Sequence, residues 1–247
     1  MISVGILSHY APKTLAHTLQ SYKDAGVFEI TDDVFAVLQM SDRQAAEKMV
    51  CDSFGVRAIC LHDNGKMAWG FKAIYENARH EHILFLENDF VIHASKQDTA
   101  DFFKNALQFM NVDGFDVVRG RSRKQPGDPN HAMWLSTLSR DVLKNNTHLS
   151  ECIFWESEPE KAYPSRIHRI DHTAGRQPWY TSIAKYCNYT NNPYVCSKTF
   201  FEHAVLPYIG FGNNLEYELT DLWATKHYTC VFGPGLFTHD RSFDGHS

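Results

Sequence analysis

From Val4 to Leu86, short apolar runs alternate with longer amphipathic stretches, and each run ends in polar residues. Val4 to Leu7 reads as a strand. Pro12 to Ala25 then reads as a helix, with Pro12 near its start, Gly26 at its end, and Leu15, Leu19 and Tyr22 at helical spacing. The pattern repeats with a strand at Val34 to Leu38, a helix opened by Ser41-Asp42 and running to about Phe54, and a strand at Val56 to Leu61. A helix at Gly65 to Ala78 and a strand at Ile83 to Leu86 follow. Alternation at this spacing predicts an α/β fold whose central sheet is mostly parallel and flanked by helices. Ligands of such sheets collect at the carboxyl ends of the strands. Polar clusters stand at four consecutive ends: Ser8-His9-Tyr10, Gln39-Met40-Ser41-Asp42, His62-Asp63-Asn64-Gly65 and Glu87-Asn88-Asp89.

The last cluster carries the most chemistry. An apolar run emerges into two carboxylates, and residues i and i+2 of an extended chain point to one side, so Glu87 and Asp89 are expected to converge on one cation. Hard divalent ions such as Mg²⁺ or Mn²⁺ favour oxygen ligands and share them with substrate phosphates. Neither a Gly-x-Gly-x-x-Gly after the first strand nor a Walker-type loop is present, which argues against a dinucleotide or P-loop domain.

The second half is less regular. A helix is expected near Asp98 to Met110, a strand at Phe115 to Arg119, and a long polar loop at Gly120 to Pro129. The stretch from Glu156 to Tyr189 has little periodicity. Order returns with Asn192 to Cys196, a helix from Lys198 to about Leu206, a helix near Asn214 to Lys226 and a final strand at Tyr228 to Phe232. With no internal repeat and no linker, the 247 residues are expected to form a single domain.

Composition excludes several classes. A net charge of −5 argues against a nucleic-acid binder. No run approaches the roughly 18 apolar residues of a membrane span. The N-terminus lacks a basic region before its apolar run, so a cytoplasmic protein is expected. The six cysteines include no Cys-x-x-Cys pair, so reduced thiols rather than structural zinc are expected.

Taken with the opening strand and helix (Ile2 to Gly26), the polar strand ends and Glu87-Asn88-Asp89, the chain resembles the GT-A fold nucleotide-sugar glycosyltransferases, family 2-like. In that family an Asp-x-Asp-like motif ends the fourth strand and its acids hold a divalent metal on the donor diphosphate. The resemblance implies a nucleotide-sugar-binding half at residues 1–120 and an acceptor-binding, catalytic half at 121–247. It implies Mn²⁺ or Mg²⁺ held by Asp89, the firmer ligand, with Glu87 and with His239, which matches a histidine past the family's last strand. Gly210-Phe211-Gly212-Asn213-Asn214-Leu215-Glu216-Tyr217-Glu218-Leu219 resembles the Gly-Trp-Gly-Gly-Glu-Asp element of inverting members, with one residue inserted after Gly212. That match puts Glu216 at the general base, with Glu218 as the substitute.

The implied activity is transfer of a sugar from a nucleoside diphosphate to an acceptor hydroxyl with inversion. A UDP-sugar is expected over a GDP-sugar, and a glycan or glycoconjugate as acceptor. Ser8, Tyr10, Ser41 and Asp42 would line the base and ribose pocket. Asp63, Lys66 and Trp69 would flank the ribose and phosphates, Asn88 would contact the donor, and Arg121, Arg123 and Arg241 are candidates for phosphate or acceptor contacts. A sugar-nucleotide pyrophosphorylase would share the sheet but needs a Gly-rich basic loop where this chain has Ser8-His9-Tyr10-Ala11-Pro12-Lys13. A non-catalytic carbohydrate-binding module would not need the acidic strand end, the acidic helix start and the late histidine together.

Overall fold

The structure is a computed structural model that describes residues 1–123, 157–187, 189–210, 214–240 and 242–243. The first half follows the alternation: β1 (Ile2–Ser8), α1 (Pro12–Asp24), α2 (Val27–Ile30), β2 (Val34–Leu38), α3 (Gln44–Phe54), β3 (Arg57–Cys60), α4 (Lys66–Asn77) and β4 (His82–Glu87). Next come β5 (Phe90–Ile92), α5 (Lys96–Asn111), β6 (Val117–Arg121), α6 (Pro159–Ala162), β7 (His168–Ile170), β8 (Trp179–Ile183) and β9 (Tyr194–Ser197). The described chain closes with α7 (Lys198–Ala204), α8 (Leu215–Trp223) and β10 (Thr229–His239).

These strands form one mixed sheet in the order β3-β2-β1-β4-β9-β6-β10-β8-β7, with β5 joined to the far end of β10. The expected parallel pairing holds for β3-β2-β1-β4 and again for β6 with β10. Between them β9 runs antiparallel to both β4 and β6. Strands β6 and β10 therefore point the same way as β1 to β4, and the carboxyl ends of all six share one edge with the amino end of β9.

Side chains alternate across the sheet as strand geometry requires. Ile83 and Phe85 face the layer holding α4, α7 and α8, through Phe71, Ile74, Phe201, Leu219 and Trp223. Leu84 and Leu86 face the layer holding α1, α3 and α5, through Leu15, Leu19, Tyr22, Cys51, Phe102 and Phe109. Helix α3 begins at Gln44 rather than at Ser41-Asp42, whereas two other helix starts are set by local sequence. Pro12 opens α1, and Ser95 Oγ caps α5 by accepting from Asp98 N at 3.1 Å.

Three expectations are corrected. The aperiodic 156–189 stretch contains the antiparallel pair β7-β8. Gly120 and Arg121, read as the start of a loop, are the buried end of β6, and 124–129 lie outside the described residues. The last strand does not stop at Phe232: β10 continues to His239 through a register shift between Phe232 and Phe237. Among the described residues no helix is long and apolar enough to cross a membrane, and Cys51, Cys60, Cys187, Cys196 and Cys230 are free thiols.

The opposite edge is pinned by Asp33, whose side chain is 1% exposed. It accepts from Ser3 Oγ at 2.6 Å, Arg57 Nη2 at 2.8 Å and Arg79 N at 2.8 Å. Burial alone would raise this carboxyl, but the hydrogen bonds from Ser3 and Arg79 and the Arg57 guanidinium outweigh it and hold it below the ordinary carboxylate value. A depressed folded-state value makes the contribution complete above the unfolded pKa of about 3.9 and lost as pH falls through the folded value. Asp33→Asn is expected to cost about 2 kcal/mol at neutral pH. It should also flatten the acid limb of a stability-versus-pH series; urea unfolding between pH 7 and pH 2.5 measures both.

Candidate active site

Strand β4 delivers Glu87 as its last residue, and the chain then turns at Asn88 and Asp89 before β5. The extended-chain argument for Glu87 and Asp89 sharing a side therefore does not apply. Helix α1 clamps this turn: Thr18 Oγ1 donates to Asn88 O at 2.6 Å and Tyr22 Oη donates to Phe90 O at 2.7 Å. Asp89 is 5% exposed. The Tyr22 phenol is pushed well up, first by burial and second by the nearby Asp89 charge.

The far end of β10 completes the turn. Its antiparallel register with β5 sets Phe237 opposite Ile92, Thr238 opposite Val91 and His239 opposite Phe90, and Asp240 N donates to Asp89 O at 2.8 Å. Directly opposed side chains on one face meet, and the His239 ring stacks on Phe90 with centroids 4.2 Å apart. His239 Nε2 then lies 3.3 Å from Asp89 Oδ1. That nitrogen is buried and has no hydrogen-bond partner among the described residues. Two ligands at right angles on an octahedral ion with bonds of about 2.1 Å stand about 3 Å apart, so this pair fits adjacent positions on one divalent cation. Among the described residues no three His, Cys, Asp or Glu groups cluster tightly enough to hold a metal unaided. Divalent cations at phosphates commonly take several of their ligands from substrate and water.

The residues expected to face the nucleotide lie at the ends of β1 to β3. Tyr10 occupies the left-handed region at φ 60°, is 40% exposed, and has the Arg43 guanidinium 4.2 Å from its ring centre. Ser41 is half-buried; Asp42, Asp63 and Lys66 are exposed. Lys66, at φ 58°, donates its N–H to Asn64 Oδ1 at 3.0 Å. Asn64 Nδ2 sits 2.9 Å from His9 Nε2, which ties the first loop to the third. Trp69 is half-buried on α4 under Lys72, whose Nζ is 4.5 Å from its ring centre. Ser8 does not face this rim. It is fully buried and donates to Glu47 Oε1 at 2.5 Å, and Ala11 N donates to the same oxygen at 3.1 Å. Glu47 escaped the sequence reading, although it lies four residues before Cys51 on the one buried stripe of α3.

Glu216 is the second residue of α8, where Asn214 Oδ1 accepts its N–H at 3.0 Å. Its Oε1 accepts from Thr190 Oγ1 at 3.0 Å and Asn191 N at 2.9 Å. Glu218 is exposed. Leu215, Leu219 and Trp223, at helical spacing, are buried on one face of α8. Residues 190–192 immediately precede β9, so they sit at the same sheet edge as Asp89. Buried Arg119 and Arg121, at the end of β6, bond to them: Arg119 Nη1 donates to Thr190 O at 3.2 Å and Arg121 Nη1 donates to Asn192 Oδ1. The Arg121 guanidinium also lies 5.6 Å from the Phe90 ring centre. Thr190 and Asn192 have no local sequence signal. Arg123 is half-buried with its guanidinium 5.2 Å from the Tyr180 ring centre, and Arg241 lies outside the described residues.

No protein-family model and no curated protein sequence matches the chain. Solved structures do match in fold. Glucosyl-3-phosphoglycerate synthase from Mycobacterium tuberculosis, in complex with Mn²⁺, UDP and glucosyl-3-phosphoglycerate, superposes with a TM-score of 0.54 at 10% identity, over 98% of this chain and 72% of that one. The same enzyme with Mg²⁺ and UDP gives 0.53 at 11% identity over the same shares. A mycobacterial protein gives 0.52 at 13% identity over 98% and 67%. The likeness shows the fold, a GT-A-type mixed α/β sheet flanked by helices.

Proposed function

We propose that this protein is a divalent-metal-dependent glycosyltransferase that moves a sugar from a UDP-sugar to a hydroxyl of a glycan or glycoconjugate, with inversion. One observation carries the reading. Asp89 and His239, separated by most of the chain, meet at the ligand-binding edge with a buried, unbonded imidazole nitrogen facing a carboxylate oxygen. Glucosyl-3-phosphoglycerate synthase, which shares this fold, was solved with Mg²⁺ and UDP and with Mn²⁺ and UDP.

In this proposal Asp89 and His239 hold Mn²⁺ or Mg²⁺, with Glu87 beside them at the end of β4. The cation supplies charge neutralisation for the departing diphosphate. Tyr10, Ser41 and Asp42 face the base and ribose, Asp63, Lys66 and Trp69 border the path of the ribose and phosphates, and Asn88 contacts the donor. Ser8 supports that wall from beneath through Glu47. Glu216 accepts the proton of the attacking hydroxyl. A carboxylate is suited to this role because it is acceptor-only when ionised.

Calorimetric titration with UDP-glucose, run with and without Mn²⁺, tests the reading. Binding is expected to tighten at least about tenfold with the metal, and Glu216→Gln to keep that binding while losing about 100-fold in turnover. Equal affinity with and without Mn²⁺ would overturn it.

A further inference from the structure

We infer that Thr190 and Asn192 are positioning residues that orient the Glu216 carboxylate and tie it to the metal-holding edge through Arg121. The inference rests on the reading of Glu216 as the proton acceptor.

The hydrogen-bond inventory allows only one direction along this chain. A guanidinium can only donate, so Arg121 Nη1 donates and the Asn192 oxygen accepts. That contact sets the Asn192 amide, whose Nδ2 then faces Thr190 Oγ1 at 2.7 Å and donates to it. Asn192 N donates to the same hydroxyl at 3.2 Å. With both acceptor positions of Thr190 Oγ1 in use, its single proton goes to Glu216 Oε1 at 3.0 Å. An acceptor-only carboxylate terminates a sequence that a donor-only guanidinium begins. Linked bonds of this kind polarise one another and hold a side chain in one orientation.

The other end of the chain reaches the donor side. Arg121 stands over Phe90, and the Phe90 ring carries His239. The 190–192 segment thus sets the position of Glu216 relative to the Asp89–His239 pair, although the two lie on elements far apart in sequence. Correct placement of a reacting group within a fraction of an ångström is worth orders of magnitude in rate.

The backbone of the segment has its own supports: Asn191 N still reaches Glu216, and Arg119 still reaches Thr190 O. Thr190→Val, nearly isosteric, removes only the hydroxyl. With UDP-glucose, Mn²⁺ and water as the attacking nucleophile, the C1–O bond to the diphosphate breaks and the water oxygen bonds to C1. The water proton passes to Glu216, and UDP leaves with the bonding electron pair. For Thr190→Val we expect kcat for UDP release to fall about 10- to 100-fold, with KM and the Mn²⁺-dependent affinity for UDP within about twofold. Thr190→Ser should recover most of the rate. Asn192→Asp, which cannot donate to Thr190, should reproduce the loss. A wild-type kcat in Thr190→Val, a parallel fall in UDP affinity, or no recovery in Thr190→Ser would overturn the inference. Absence of Mn²⁺-dependent UDP release from the wild-type protein would instead overturn the reading of the site, and this inference with it.

Discussion

Asp89→Ala is expected to abolish metal-dependent chemistry, lowering UDP release from UDP-glucose in Mn²⁺ by at least about a thousandfold, or about 4 kcal/mol of barrier. Its carboxylate is the buried anionic member of the pair with His239, and no third His, Cys, Asp or Glu among the described residues completes a cluster with them. Removing it leaves the imidazole as the remaining member of that pair. A neutral nitrogen alone is a poor site for a hard cation that prefers oxygen. The fold should survive, because the turn is held by backbone groups: Thr18 to Asn88 O, Tyr22 to Phe90 O and Asp240 N to Asp89 O. The variant should therefore melt near the wild-type temperature while losing the Mn²⁺-dependent gain in UDP affinity. Full activity in Asp89→Ala would sink the metal assignment.

Gly235→Ala is expected to cost at least about 3 kcal/mol, a drop of about 10 °C in Tm for a chain of this size. Two penalties coincide there. Gly235 lies at φ +65°, and a Cβ on it would stand 1.9 Å from Arg121 O and 2.3 Å from Arg121 C, both backbone atoms that cannot swing aside. The glycine sits inside the register shift that bends β10, where Ser122 N donates to Phe237 O and Arg123 N to Pro234 O. Everything beyond the shift, including His239, takes its register from this bend. Mn²⁺-dependent UDP binding should therefore weaken together with stability. Gly114→Ala is the control: its φ is +72°, but no atom lies within 4 Å of the added carbon, so it should cost only about 1 kcal/mol and leave binding intact. Similar melting temperatures for the two variants would show that the close approach to β6 is not what sets the bend.

The residues of the candidate site differ in how far the sequence points to them. Asp89 stood out because an apolar strand rarely ends in paired acids. His239 could be matched only by resemblance, since nothing local tells a histidine near a strand end from the thirteen others. Its placement depends on β10 crossing to β5 after the shift. Glu216 was matched by resemblance to the Gly-Trp-Gly-Gly-Glu-Asp element, but its partners Thr190 and Asn191 were not readable, because neither belongs to a periodic element. Glu47 was hidden for another reason: a buried carboxylate is the exception on a helix face, and the hydroxyl of Ser8 and the N–H of Ala11 offset its burial.

By itself the sequence determined the alternation of strands and helices, the edge of the sheet at which polar residues gather, and the acidic residues at the end of β4. Those features are written in spacings of two and 3.6 residues, and neighbours along the chain suffice to read them. Only the tertiary structure decided that β9 enters the sheet antiparallel between β4 and β6, that β10 runs through a register shift around Gly235 to bring His239 to Asp89, and that Thr190 and Asn191 meet Glu216. Each of these is a pairing between distant segments. Their geometry comes from contacts across strands and from the register shift in β10, quantities that no window of the chain contains.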